Sequence, residues 1–502
     1  MSDYSHLYRR QTGKELLPYL RWGLIAALAA VLIAKGGILG GALLFGLPFG
    51  VALVIVSFQS PKLGLWLIFF YGFIISVVTR YFPIFPWGIG ADVSLLGLLL
   101  IIFFKYFKTI DFIKVFSNHF VLLMSIWFIY MFLELFNPLA PNFQGWFFAM
   151  RGIGLYQFFI AVIGIVLLKN RHDFFVYTNI YFVMSLIAVV WGWKQLTFGV
   201  SSTEQAWLDA GEHRTHVLFG KLRVFSYYFD GGTFGSAMGQ VCITALVLAL
   251  GPFPKSWRAF YFITGLLGFY GMVISGTRGA LAVPVLGGLA FLVMTRNVRL
   301  VVIAAFVLSF GYVFLRYTYI GQGNYQIARL RTAVDPNDAS LLVRINNRAR
   351  LTEYLKGKPF GGGIGSTGSF GQRFAPGTWL ADFAPDGLYT RIRAEAGVIG
   401  KYLYLGIWLY LLARSLLLGI KLPEGENKYI VMSIVAGYAG VLATNYGNPI
   451  MTQFPVNLIT FMGLAFIEVI FFWDEDGNLI PGSDIPVANL LDADGKDVDN
   501  NA

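Results

Sequence analysis

Three arginines border apolar stretches, where a charge is costly: Arg151 in AMRGIGLYQ, Arg223 in KLRVFSYYFDGG and Arg278 in ISGTRGALAV. Ionisable groups kept in such places mark sites or pathways. Each guanidinium offers planar, paired donors that match phosphate oxygens. Gathered at one water-facing surface, with Lys221 near the same level, they would bind a polyanionic head group such as a lipid-linked diphosphate. Taken singly, each also reads as a snorkelling residue whose charge reaches the lipid head groups.

What must position them is a membrane bundle. The chain is 57% hydrophobic and only 13% charged, and apolar runs of bilayer-crossing length recur almost end to end. The fold class expected is all-α: a polytopic helical membrane protein of about 12–14 transmembrane helices, with one large periplasmic loop containing an amphipathic helix. The runs fall at 17–34, 37–57, 63–79, 92–107, 119–136, 152–168, 174–195, 228–250, 258–275, 279–295, 299–317, 388–413, 429–446 and 454–473. Alternate connections are basic: Lys62; Lys105, Lys108 and Lys114; Lys169 and Arg171; Lys255 and Arg258; Arg296 and Arg299; Arg414, Lys421 and Lys428. Positive residues favour the cytoplasm. Both termini are therefore expected inside, and Arg151, Arg223 and Arg278 on the outer face.

Three regions follow. Residues 1–15 form a cytoplasmic N-terminus without a cleavable signal pattern. Residues 16–473 form the membrane domain. From Asp474 an acidic tail, 474–502, is expected to be disordered and cytoplasmic; its DADGKDVD lacks the distal glutamate of a calcium loop. The net charge of +11 sits mostly in the short connections, and no motif for reading nucleic acid is visible. The single Cys242 makes no internal disulfide, and no Cys/His spacing suits a metal. His213 and His216 read as a solvated loop pair. No metal and no cofactor is expected.

Two outer segments are long, 196–227 and 318–387. In the second, Leu342, Ile345, Ala349, Leu351 and Leu355 recur at helical spacing, so an amphipathic helix is expected over 340–356. Its basic face has bland readings, solvation or contact with lipid phosphates. Gly361–Gly365 after Pro359 permits a tight turn or close backbone approach. No Lys-Ser/Thr follows, so it is not a nucleotide-binding loop.

RVFSYYFDGGTFGSAMGQ, SGTRGALAVPVLGGL, a large outer loop, KPFGGGIGS and DGLYTRIRAEAGVIG follow one another across residues 215–410. This succession resembles the ordered blocks of the O-antigen ligase and O-antigen polymerase superfamily. The resemblance implies a multi-pass glycosyltransferase of the bacterial inner membrane with a periplasmic site, acting in surface polysaccharide or lipopolysaccharide biosynthesis. It would move a glycan from an undecaprenyl-diphosphate carrier to a hydroxyl of a glycan or lipid-linked acceptor, with inversion and without a metal. Arg223 and Arg278 carry over as the holders of the diphosphate, whose charge grows as it departs. The chain departs from the ligase pattern where His-Asn is usual: Asp386-Gly387 stands there instead. Asp386 serves as general base or caps the helix that follows; both readings stay open, as do polymerase and ligase.

Weaker candidates surround these. Asp230 stands near Arg223, and Glu134 near Arg151. Arg391 and Glu395, four apart, read as a buried structural pair. Asn445, Tyr446 and Asn448 suit sugar hydroxyls or an ordinary turn. Tyr227, Tyr228 and Trp379 suit sugar stacking or the membrane interface. The rival class is a lipid-linked oligosaccharide flippase or other polysaccharide transporter. Such a carrier would centre its charges mid-membrane and often show two related halves; no such halves are visible here.

Overall fold

The computed structural model describes residues 50–83, 86–218, 220–335, 339–474 and 477–480. The chain divides into two units, Met1–Gly64 and Leu65–Ala502. Of the first, the described part is a short apolar helix, Gly50–Gln59, and the start of the next. The expected span 17–34, most of 37–57 and the tail beyond 480 lie outside the described residues.

Ten helices among the described residues are long and apolar enough to cross a membrane. They are α1 (Pro61–Tyr81), α2 (Trp87–Tyr106), α3 (His119–Phe136), α4 (Phe143–Leu167), α5 (Arg171–Thr197), α6 (Gly231–Ala249), α7 (Lys255–Ile274), α8 (Arg278–Thr295), α9 (Val298–Tyr317) and, after the large loop, α12 (Leu388–Lys421). Loop helices α10 (Tyr325–Arg331) and α11 (Ala339–Tyr354) lie between the last two. Helices α13 (Glu426–Thr444) and α14 (Val456–Phe472) stand at the last two expected spans. The protein is thus an all-α, multi-pass membrane protein. Its one described sheet is the ribbon Val217–Leu218 with Lys221–Leu222.

Side-chain size decides which helices are central. In α6 every residue but Leu246 is buried, and α14 is buried throughout Val456–Val469. A Cβ on Gly268 of α7 would stand 2.9 Å from the Cys242 nitrogen of α6. Glycine there lets two backbones touch, as membrane helix pairs require. At the other extreme, α9 buries no residue; Val302, Phe306 and Phe310 stay open for lipid.

The two ends of the bundle differ. At one end Asn118 bonds Glu468 at 3.2 Å, Arg171 meets Glu426 at 3.2 Å, and the Trp473 indole donates to the Lys169 carbonyl. These are the basic connections of the sequence pattern. The opposite end collects the long loops. There Leu388 N donates to Asn445 O at 2.8 Å, and the Thr277 hydroxyl to Gly231 O at 2.7 Å.

A helix runs over Ala339–Tyr354, where 340–356 was expected. Only its later turn is covered: Leu351 packs with Leu380, Phe383 and Ala394, while Leu342 and Ile345 stay exposed. The glycine run is a clasp. Gly362 N donates to Ala394 O at 2.9 Å, beside the point where α12 breaks at Gly397 (φ +70°). A Cβ on Gly363 (φ +85°) would collide with Ala140, so the chain passes there only without side chains.

Candidate functional site

The turn between α7 and α8 organises the site. Chain reversal at Ser275–Thr277 lifts Arg278 to the loop end, where Nη1 donates to the Thr332 hydroxyl at 3.0 Å. Arg223 approaches the same turn from the 198–230 segment. Its Nη2 donates to Thr277 Oγ1 at 3.3 Å and its Nη1 to Thr215 O at 3.3 Å, while its buried Nε has no partner. Arg329 of α10 reaches in from the large loop, donating Nε to Gly276 O at 2.6 Å and Nη1 to the Tyr325 hydroxyl at 3.0 Å. Burial pushes the Arg223 guanidinium below its ordinary range, the Asp230 carboxylate opposes that shift, and Arg329 and Arg278 add to it. Guanidinium does not deprotonate in proteins. The three charges therefore persist, and an anion among them is favoured.

Two further predicted members make no hydrogen bond or ion pair with this turn among the described residues. Arg151 ion-pairs with Asp92 of α2, which also accepts from the Tyr156 hydroxyl at 2.5 Å. Its charge is spent on a helix contact rather than shared with Arg223 and Arg278. Lys221 is exposed on the two-residue strand, and its ammonium makes no hydrogen bond or ion pair among the described residues. Arg329 is the member that sequence reasoning missed. Arginine in a polar loop costs nothing, so only its approach to Gly276 gives it meaning.

A buried brace holds the segment between Arg223 and Asp230. Ser226 adopts φ +53°, an uncommon conformation for a residue with a side chain. Gln195 grips both its amide (2.8 Å) and its carbonyl (3.2 Å), and its hydroxyl donates to Ala188 O at 2.7 Å. Arg80, at the end of α1, donates to Ser226 O (3.2 Å) and Tyr228 O (2.6 Å). Its guanidinium lies 4.4 Å from the Trp207 ring centre and 4.5 Å from that of Phe225. Glu204 anchors the brace by accepting from Gln195 (2.7 Å) and Trp191 (3.0 Å). Burial alone would raise its carboxyl, but those bonds, the Ser201 amide and Lys194 hold it below the usual range. This turn tucks Tyr227 and Tyr228 inward, 3% and 1% exposed and stacked on each other. They are core residues, not sugar platforms. Trp379 likewise stacks between Tyr354 and Phe383.

Asp230 caps α6, accepting from Thr233 N at 2.8 Å. Glu134 bonds Asn137 at 2.9 Å instead of Arg151. Arg391 and Glu395 form the expected buried pair at 3.1 Å. His216 is buried, within hydrogen-bond range of Glu212 O and Phe229 O, and no group of three metal-binding side chains occurs among the described residues.

Asp386 does not cap α12. Gly387 occupies that position at φ +98°, with no side-chain cap. The Asp386 carboxylate is half-buried and accepts a long 3.5 Å bond from Asn347 of α11. The Asn445–Asn448 turn stands between it and the arginines. On one flank a Cβ on Gly387 would collide with Tyr446 O. On the other, the Asn448 amide nitrogen lies 3.3 Å from where a Gly232 Cβ would stand and 3.7 Å from a Gly279 Cβ. Arginine donors and a carboxylate thus flank one turn, an arrangement able to hold an anion and accept a proton. No family model matches this chain, and no curated protein does.

Proposed function

We propose that this protein is a membrane glycosyltransferase of the O-antigen ligase and polymerase type. It moves a glycan from an undecaprenyl-diphosphate carrier to an acceptor sugar hydroxyl at the periplasmic face. The observation that carries the reading is the meeting of Arg223, Arg278 and Arg329 at one turn, at the end of the bundle away from the basic connections. By the positive-inside tendency that end faces the periplasm of a bacterial inner membrane.

In this reading the acceptor oxygen attacks the anomeric carbon while its proton passes to the Asp386 carboxylate. The bond from that carbon to the diphosphate oxygen breaks, and the electron pair leaves with the diphosphate. Arg223, Arg278 and Arg329 stabilise the charge that collects there. Attack opposite the leaving group inverts the configuration. The test is reconstitution of the purified protein with an undecaprenyl-diphosphate oligosaccharide. Glycan transfer, lost in Arg223→Ala and Arg278→Ala, is expected. Translocation of the lipid without transfer would sink the enzyme reading in favour of a carrier.

A further inference from the structure

A second group of cations occupies the other flank of the Asn445–Asn448 turn. Arg348 of α11 is fixed there: Nε donates to Thr390 Oγ1 at 3.3 Å, Nη2 to Tyr446 O at 3.2 Å, and the guanidinium lies 3.8 Å from the Tyr446 ring centre. Arg344, one turn earlier, has Nη1 3.6 Å from where a Gly447 Cβ would stand. Arg393 of α12 stands three residues after Thr390, on the helix face that Arg348 meets, and Lys401 follows further along the same helix. All four are half-buried, and none forms an ion pair among the described residues. Like charges gathered here without an ion pair favour an anion between them.

Asp386 lies on this same flank, bonded to Asn347 of α11. A general base belongs beside the hydroxyl it deprotonates, so this flank is the acceptor's. Resting on the transferase reading above, we infer that Arg344, Arg348, Arg393 and Lys401 form a second anion site, which holds the diphosphate of a lipid-linked acceptor. A transferase whose donor and acceptor both carry a lipid diphosphate joins like units, so the assignment points to polymerisation. The donor diphosphate takes the Arg223–Arg278–Arg329 side of the turn, and the acceptor diphosphate takes the Arg348 side.

The test counts bound farnesyl diphosphate on the protein in phosphatidylcholine nanodiscs by native mass spectrometry. Two molecules per chain are expected. Arg223→Ala removes one, Arg348→Ala removes the other, and the double variant binds none. Lys401→Gln, at a half-exposed surface position, weakens the second event about tenfold and serves if Arg348→Ala does not fold. A single bound molecule, lost in Arg223→Ala and kept in Arg348→Ala and Lys401→Gln, overturns the second site and leaves the proposed function standing. No bound molecule overturns both. In discs of phosphatidylglycerol the second molecule is still expected. Its replacement there by phosphatidylglycerol at equal concentration would assign these cations to bulk lipid head groups and overturn the acceptor role.

Discussion

The cations of this protein fall into two groups, those held by a carboxylate and those that are not. Within the bundle and at its basic end, five cations are each matched to a carboxylate. Arg151 meets Asp92, Arg171 meets Glu426, Arg391 meets Glu395, Arg414 meets Glu468 and Lys428 meets Glu424. Around the Asn445–Asn448 turn, Arg223, Arg329, Arg344, Arg348, Arg393 and Lys401 crowd together with no ion pair among the described residues. Their donors go to carbonyls and hydroxyls, or stay unused. The same side chain therefore does two things in one molecule. Where a carboxylate neutralises it, it ties helices together. Where none does, it leaves a positive charge facing its neighbours.

Substitutions separate the two groups. The largest effect is expected in the matched region. Glu395→Leu leaves Arg391 buried and unpaired, which costs about 3–5 kcal/mol of stability. Thermal unfolding should fall sharply, while the protein that remains folded binds farnesyl diphosphate normally. In the unmatched region the pattern reverses. Arg223→Ala and Arg278→Ala should each lower transfer by about 10²- to 10³-fold, with unfolding close to wild type. A melting loss like that of Glu395→Leu would make these arginines architecture and erase the distinction.

Arg80→Met sits between the two regions. It frees the Ser226 turn without touching the anion, so the apparent affinity for the diphosphate probe should weaken about tenfold. Arg80→Lys, able to reach one carbonyl but not bridge two, should recover part of that loss. Unchanged affinity in Arg80→Met would detach the brace from the site. The smallest effect is that of salt. Raising ionic strength from 0.05 to 0.5 M, a shortening of the screening length by about threefold, should weaken binding several-fold and leave the unfolding temperature nearly unchanged.

The helical bundle was legible because apolar runs of spanning length need no tertiary information, and the basic connections gave their alternation. Arg223 and Arg278 were legible for the same reason: a cation beside an apolar run stands out. Arg151 stood out equally, but its meaning depended on Asp92, an acid in another apolar run whose distance only packing decides. Arg329 and Arg348 lie in polar loop sequence, where arginine carries no local penalty and so no local signal. Tyr227 and Tyr228 read as interfacial aromatics, yet the left-handed Ser226 turn, braced by Arg80 and Gln195, drives them into the core. At Asp386 the helix-cap alternative fell to its neighbour, since Gly387 at positive φ begins the helix without a side-chain cap.

The most direct test of the central claim is labelling of single cysteines in oriented membrane vesicles. Native Cys242 is 3% exposed, so a membrane-impermeant maleimide reports only introduced thiols. Arg223→Cys, Arg278→Cys, Arg329→Cys and Asp386→Cys should all react from the same side, and farnesyl diphosphate should protect the first three. Reaction of these positions from opposite sides, or labelling that the diphosphate leaves untouched, would rule out a shared anion site.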